Sequence, residues 1–114
     1  MHEASIAESI LDIAALNCRK AGFERVRSIR VRIGSASGVE REALLFAFEC
    51  MKGGTAAEDA TLEIEMAALG GTCDNCMGEF EAEGAYVLSC PLCGSNAFRI
   101  TRGHEMDIVE IEVN

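Results

Sequence analysis

The sequence predicts an α+β fold: two helices on a small three-stranded mixed sheet, with an inserted zinc-ribbon-like tetrathiolate module. Three observations predict it. Two segments carry apolar residues at helical spacing, and three shorter segments alternate apolar with polar residues. Four cysteines form two Cys-x-x-Cys pairs with thirteen residues between them. We therefore expect an α/β domain over residues 1–69 and 104–114, and a zinc-binding domain over residues 70–103.

The two helices are predicted over residues 4–21 and 39–52. Ser5-Ile-Ala-Glu and Ser37-Gly-Val-Glu have the spacing of capping boxes, and glycines after each segment provide stop signals. In the second box the fourth residue, Glu40, would bond the backbone of Ser37. The remaining two cysteines, Cys18 and Cys50, lie within the helical segments and are predicted to be buried thiols.

Three strands are predicted over residues 25–34, 61–66 and 107–113, because each alternates branched or apolar residues with charged ones. The order strand, helix, strand implies a right-handed parallel crossover between the first two. The third strand has no apolar face to meet inside the zinc module, so we place it in the first sheet. Gly70-Gly71 is predicted to mark the entrance to the module and Gly103 its exit.

The two cysteine pairs have the spacing of a closed tetrahedral metal site. A disulfide scaffold normally follows a signal peptide, and the basic then apolar run of such a peptide is absent here. A redox dithiol needs only one pair, so a second matched pair would be surplus. Four thiolates leave no open position for a substrate, which predicts a structural ion and not an enzyme. The predicted zinc ligands are Cys73, Cys76, Cys90 and Cys93.

Composition excludes several classes of function. The formal charge of −9 disfavours nucleic-acid binding, and most of the basic residues precede residue 33. No apolar run approaches the roughly 20 residues that a membrane span requires. We expect a cytoplasmic protein with no nucleic-acid partner and no membrane span.

Several motifs occur together along the whole chain. They are Met1-His2-Glu3, Ser-Gly-Val-Glu-Arg-Glu-Ala-Leu at 37–44, Phe-Ala-Phe-Glu at 46–49, the two cysteine pairs, and Gly-x-Glu before a terminal Ile-Glu-Val. In this combination the sequence resembles the HypA/HybF family of hydrogenase maturation proteins. The resemblance implies a nickel metallochaperone whose cargo is Ni(II) and whose structural cofactor is Zn(II). It also implies two partners, a HypB-type GTPase and the hydrogenase large subunit, and in some organisms the urease maturation proteins.

The resemblance implies a nickel site in the first domain, with Met1, His2 and Glu3 as ligands and Glu40 as an additional acidic ligand. The chemistry of the first three can be argued independently. A terminal amine, an ionised His2 amide and the His2 imidazole close a five-membered and a six-membered chelate ring. Ionised amides suit tetragonal Ni(II) or Cu(II) better than zinc.

Two points of the family pattern stay open. Glu40 has a competing local role as a capping residue. Some family members carry histidines beside the zinc knuckles, whereas Met77 and Gly94 follow the pairs here. His104 is predicted to be a surface residue. The alternative function is a zinc-ribbon adaptor for protein interactions without nickel, and a zinc enzyme lacks both an open coordination position and an activated nucleophile.

Overall fold

A computed structural model describes residues 2–114, and Met1 lies outside the described residues. The chain divides into two compact units. The first contains the described residues up to Val31 together with Val39–Glu65 and Asp107–Asn114, and the second contains Arg32–Gly38 and Met66–Met106. The elements in chain order are α1 (Glu3–Lys20), β1 (Val26–Gly34), α2 (Arg41–Met51), β2 (Thr61–Ala67), β3 (Leu69–Cys73), β4 (Glu79–Ala82), β5 (Phe98–Arg102) and β6 (Met106–Val113).

The first sheet has the strand order β2-β1-β6. Arg25, just before β1, exchanges two backbone hydrogen bonds with Asn114, just after β6, and at the other end Gly34 N–H donates to the Glu105 carbonyl. These bonds make β1 and β6 antiparallel. Val26 N–H donates to the Ala56 carbonyl before β2, and Ser35 N–H donates to Ala67 at its end, so β1 and β2 run in the same direction. The sheet is therefore mixed, as the sequence predicts.

The two helices pack against each other, and one face of β1 is buried. The opposite face is polar and solvated: the guanidinium of Arg30 contacts the carboxylate of Glu110 on the neighbouring strand, and Ser28 donates a hydrogen bond to Glu112. The carboxylate of Glu110 also raises the pKa of Arg30. The buried apolar side chains of the helices and of β1 up to Val31 form the core of the first unit; they are Ala7, Ile10, Leu11, Ala14, Cys18, Val26, Ile29, Val31, Leu44 and Phe48.

The two isolated cysteines differ from each other. Cys18 is buried within α1, as predicted. Cys50 is exposed, so the prediction of a buried thiol at this position is wrong. Cys50 lies near the end of α2, where only Leu44 and Phe48 of the helix are buried. The buried stripe of this short helix is too narrow to include residue 50.

The second unit is built on a separate antiparallel sheet of order β4-β3-β5. Gly70 and Gly71, which are predicted from the sequence to mark the entrance to the module, lie inside its central strand β3. A Cβ on Gly71 would lie 1.9 Å from the Arg99 carbonyl oxygen of β5, so the close approach of the two backbones requires glycine there. β3 ends at Cys73 and so delivers the first cysteine to the metal centre.

The second unit has a small apolar core of its own. Phe80 and Phe98 make an edge-to-face contact, with ring centroids 6.0 Å apart, and pack against the buried Cys73 and Cys90. The aromatic residues thus connect the sheet to the cysteines.

Among residues 2–114, no helix is long and apolar enough to cross a membrane.

Candidate metal centre

Two tight turns bring four cysteines together in the second unit. Cys73 ends β3 and Cys76 lies in the turn that follows it, while Cys90 and Cys93 belong to a second turn before β5. The four Sγ atoms all lie within 4.8 Å of one another. Two of the pairs that connect the turns are separated by 3.6 Å, between the sulfurs of Cys73 and Cys93, and by 3.9 Å, between those of Cys76 and Cys90. This arrangement positions the cysteines for a metal ion.

The two turns have the same backbone geometry. In the first, Cys73 N–H donates to the Gly78 carbonyl at 3.0 Å, and in the second, Cys90 N–H donates to the Ser95 carbonyl at 2.8 Å. The residue four positions after the leading cysteine has a positive φ in both, 62° at Met77 and 79° at Gly94. We call these segments, Cys73–Gly78 and Cys90–Ser95, the first and second knuckles. Each orients its two sulfurs toward the other knuckle.

Hydrogen bonds to sulfur favour the thiolate form. Asn75 Nδ2 donates to Cys93 Sγ at 3.5 Å, and Leu92 N–H donates to Cys90 Sγ at 3.4 Å. The bond from Asn75, followed by one from the Ser95 backbone N–H, lowers the pKa of Cys93 to about 6. One sulfur of the group is therefore ionised at neutral pH even without a metal.

The pKa of the Cys76 thiol is shifted in the opposite direction. The Gly78 N–H lowers the pKa of Cys76, but partial desolvation and the three neighbouring thiols outweigh it and raise that pKa to about 11. Sulfurs packed this closely cannot all carry a negative charge without a counter-charge. A divalent cation bound between the knuckles would supply that counter-charge and allow all four thiolates to form.

The N-terminal candidates lie in the first unit. His2 is exposed and occupies the N-cap position of α1, and its side chain makes no capping hydrogen bond. Glu3 is the first residue of the helix and is only 5% exposed. Its Oε2 accepts a hydrogen bond of 2.9 Å from the backbone N–H of Glu40, which brings two of the candidates into contact. The amine of Met1 lies outside the described residues.

The start of α2 differs from the predicted capping box. The helix begins at Arg41, and Glu40 is its N-cap and not the fourth residue of a box led by Ser37. The Glu40 carboxylate accepts from the N–H groups of Glu42 at 3.2 Å and Ala43 at 2.6 Å. Glu40 thus has a capping role that competes with ligation, but it caps α2 as the N-cap residue itself.

The cysteines are the one group of three or more potential ligand side chains that converge within residues 2–114. The side chains of His2, Glu3 and Glu40 do not form such a group, so any metal site there needs backbone or terminal nitrogen atoms. His104 is exposed, as predicted. The burial of Glu3 was missed because a glutamate beside a helix start is ordinarily solvated.

Comparisons with known proteins agree over the whole chain. Residues 1–113 match the family model described as hydrogenase/urease nickel incorporation, metallochaperone, hypA. A hydrogenase maturation factor HypA from Roseiflexus sp. (strain RS-1) is 40% identical over 112 residues, covering 98% of this chain and 91% of that protein. The protein of the same name from Methylocella silvestris is 38% identical over 113 residues, covering 99% of both.

The fold has solved relatives. The solution structure of the Ni metallochaperone HypA from Helicobacter pylori superimposes with a TM-score of 0.70 at 25% sequence identity, covering 99% of this chain and 97% of that one. The similarity extends over both units of the chain described above.

Proposed function

Because the chain belongs to the HypA family of nickel-incorporation metallochaperones, we propose that it delivers Ni(II) to the large subunit of a nickel-iron hydrogenase. A HypB-type GTPase is the proposed partner in delivery, and urease maturation proteins are further candidate recipients. The protein acts as a carrier and not as a catalyst. Its working cycle is to bind the ion, hold it in an accessible place and release it to the next protein.

The proposed nickel site is formed at the start of the chain. Its ligands are the Met1 amine, the amide nitrogen and imidazole of His2, and the amide nitrogen of Glu3. Three of these nitrogens belong to fused chelate rings, and a fourth completes a square plane suited to Ni(II). Copper(II) would bind such nitrogens more tightly, so selection of nickel depends on which ion is supplied and not on the ligands alone.

The exposed position of His2 at the N-cap of α1 is the observation that carries this proposal. The first intrahelical hydrogen bond runs from Ile6 N–H to the His2 carbonyl at 2.9 Å. The amides of His2 and Glu3 precede that bond, so ionising them breaks no bond of the helix. Two ionised amides also neutralise the charge of a divalent ion. The positive end of the helix dipole therefore meets a neutral complex.

Glu40 is the proposed additional acidic ligand. Its carboxylate already accepts two backbone hydrogen bonds at the start of α2, so ligation and capping compete for the same oxygens. Nickel bound by Glu40 would leave part of the first turn of α2 without its cap. The competition between capping and ligation would therefore weaken nickel binding by Glu40. A carrier needs a site that releases its ion.

The knuckles are proposed to hold structural Zn(II). A regular tetrahedron with Zn–S bonds of about 2.3 Å has sulfur–sulfur edges of about 3.8 Å. The Cys73–Cys93 and Cys76–Cys90 sulfur pairs, at 3.6 and 3.9 Å, lie on either side of that value. A tetrathiolate shell is closed, so the zinc would neither bind a substrate nor exchange with the nickel cargo.

The test is a titration of Ni(II) into three purified forms: the wild type, His2→Ala, and a form with one extra residue ahead of Met1. The wild type is expected to bind one equivalent of nickel, and each altered form to lose most of its affinity. His2→Ala removes the imidazole, whereas the extension moves the amine out of the five-membered ring. Equal nickel binding by all three forms would contradict the terminal chelate.

A zinc-ribbon adaptor remains the second candidate function, because the second unit exposes large apolar side chains. The most exposed of these are Met77, Tyr86, Leu88 and Leu92. The adaptor hypothesis expects zinc in the purified protein and no stoichiometric binding of nickel. The same titration therefore separates the two functions, since the wild type alone distinguishes one equivalent of nickel from none.

A further inference from the structure

The carboxylate of Glu3 is the one buried charged group among the described residues. A carboxylate kept from water requires compensating donors, because its desolvation is otherwise unfavourable. One such donor is the backbone N–H of Glu40, 2.9 Å from Oε2. This bond joins two residues that are 37 positions apart in the sequence. It connects the start of α1 to the residue that caps α2.

We infer that the Glu3 side chain is a positioning residue for the nickel site, holding the first turn of α1 against the N-cap of α2. The inference rests on the proposed function, because it concerns the same terminal chelate. In this arrangement the amide nitrogen of Glu3 contributes to the chelate while its carboxylate accepts a hydrogen bond from the Glu40 N–H. The acidic side chain then acts on nickel by fixing the position of its neighbours.

The geometry explains why the position of this carboxylate matters. His2 directly precedes Glu3, and its carbonyl is held by the first helical hydrogen bond from Ile6. With its side chain attached to Glu40, Glu3, the residue that follows His2, has a fixed orientation. The chelate therefore closes on nitrogens of which two, the His2 and Glu3 amides, are already in place. Loss of the attachment would add conformational freedom that nickel binding must remove.

The Glu40 backbone N–H is also a useful reporter. It donates to Glu3, whereas the side chain of Glu40 accepts from Glu42 and Ala43. Exchange of this one amide proton therefore reports the contact with Glu3 and not the cap itself. The measurement needs no metal, so it remains informative whatever the nickel affinity proves to be.

The experiment compares Glu3→Gln, Glu3→Ala and the control Glu8→Ala, which removes an exposed acidic residue from the same helix. Glutamine keeps an oxygen that can accept from the Glu40 N–H, whereas alanine does not. All variants retain the amide nitrogen of residue 3. In metal-free protein, amide hydrogen exchange at Glu40 is expected to accelerate about ten-fold or more in Glu3→Ala. It should change little in Glu3→Gln and not at all in the control.

Nickel titration of the same variants gives the second readout. Glu3→Gln is expected to keep nickel affinity within a few-fold of the wild type, and to leave the ligand-field absorption band where it is. Glu3→Ala should bind about ten-fold more weakly, with the same band, since the penalty is the lost hydrogen bond to a charged group and not a lost ligand.

Two results would overturn the inference. One is a Glu40 amide that exchanges equally fast in the wild type and in Glu3→Ala. The other is a Glu3→Gln variant that loses nickel and shifts the absorption band, which would make the carboxylate itself a ligand. If Glu3→Ala does not fold, the nickel affinity and absorption band of Glu3→Gln still test the second of these results. A wild type that binds no nickel would refute the proposed function but would leave the metal-free exchange result standing.

Discussion

Met77 and Gly94 occupy equivalent positions, four residues after the leading cysteine of each knuckle. Both have a positive φ, and only glycine adopts it without a steric penalty from Cβ. The sequence shows Gly94 as a suitable residue and Met77 as a less suitable one, with Gly78 next to it. In the structure Met77 itself takes the left-handed conformation, because the hydrogen bond from Cys73 N–H to the Gly78 carbonyl fixes the turn.

Replacement of Met77 by glycine should therefore stabilise the metal-loaded second unit, by about 1 kcal/mol according to the cost of a left-handed L-residue. Met77 is 79% exposed, so little packing is lost. Thermal unfolding of the metal-loaded protein measures the change. Gly94→Ala is the matched control and should be destabilising by a similar amount. A lower midpoint for Met77→Gly than for the wild type would contradict the argument.

The role of a single residue was predictable where its own chemistry determines that role. The cysteine pairs indicated a metal site because thiol spacing alone restricts the geometry. The exposure of Cys50 and the burial of Glu3 were not predictable, since each depends on which neighbours the fold supplies. For Glu3 the neighbour is the backbone of residue 40, and no local pattern identifies it.

At the scale of elements, the start of α2 shows how tertiary contact overrides a local motif. Ser37 and Glu40 have capping-box spacing, yet the helix begins three residues later, with Glu40 as N-cap. Glutamate is not among the favoured N-cap residues. Here its own N–H is bound by Glu3, which holds residue 40 in an extended conformation (φ −89°, ψ 122°) and leaves its side chain free to bend back.

Glu40→Ser and Glu40→Ala separate the two roles of this residue. Serine is a good N-cap and should preserve the stability of the first unit, whereas alanine should lower it by about 1 kcal/mol. Denaturant unfolding measures both. Because both variants lack the carboxylate, nickel ligation by Glu40 requires both to lose affinity to a similar extent. If capping is the only role of Glu40, Glu40→Ser should bind nickel as the wild type does.

Strand β3 was not predicted from the sequence. Gly70-Gly71 reads locally as a break, and glycine is depleted in strand interiors. At Gly71 the Arg99 carbonyl oxygen of β5 approaches too closely for a side chain, whereas a Cβ on Gly70 would meet the guanidinium of Arg102, which can move. By contrast, β1, β2 and β6 were predictable because apolar and charged residues alternate along each strand, although no side chain of β6 is buried.

For the molecule as a whole, the two units differ in what stabilises them. The first has a core of aliphatic and aromatic side chains from two helices and a sheet, whereas the second packs two phenylalanines against cysteines. Binding of structural zinc by four cysteines contributes on the order of 10 kcal/mol, which is comparable with the stability of a small domain. The second unit should therefore depend on metal for its folding.

Removal of the metal with a strong chelator is expected to abolish hydrogen-exchange protection in β3, β4 and β5 while α1 remains protected. Cys90→Ser should have the same effect without chelator. Cys50→Ser is the control, because that thiol is exposed and outside the metal centre. Retained protection of β3 in metal-free Cys90→Ser would show that the small aromatic core folds the unit unaided.

The order of the strands along the chain also bears on synthesis by the ribosome. β6 is an edge of the first sheet and pairs with β1, but it follows both knuckles in the sequence. All four cysteines have therefore left the ribosome before the strand that completes the first sheet has emerged. Since domains form as their residues become available during translation, zinc can be captured while the first sheet is still two strands wide.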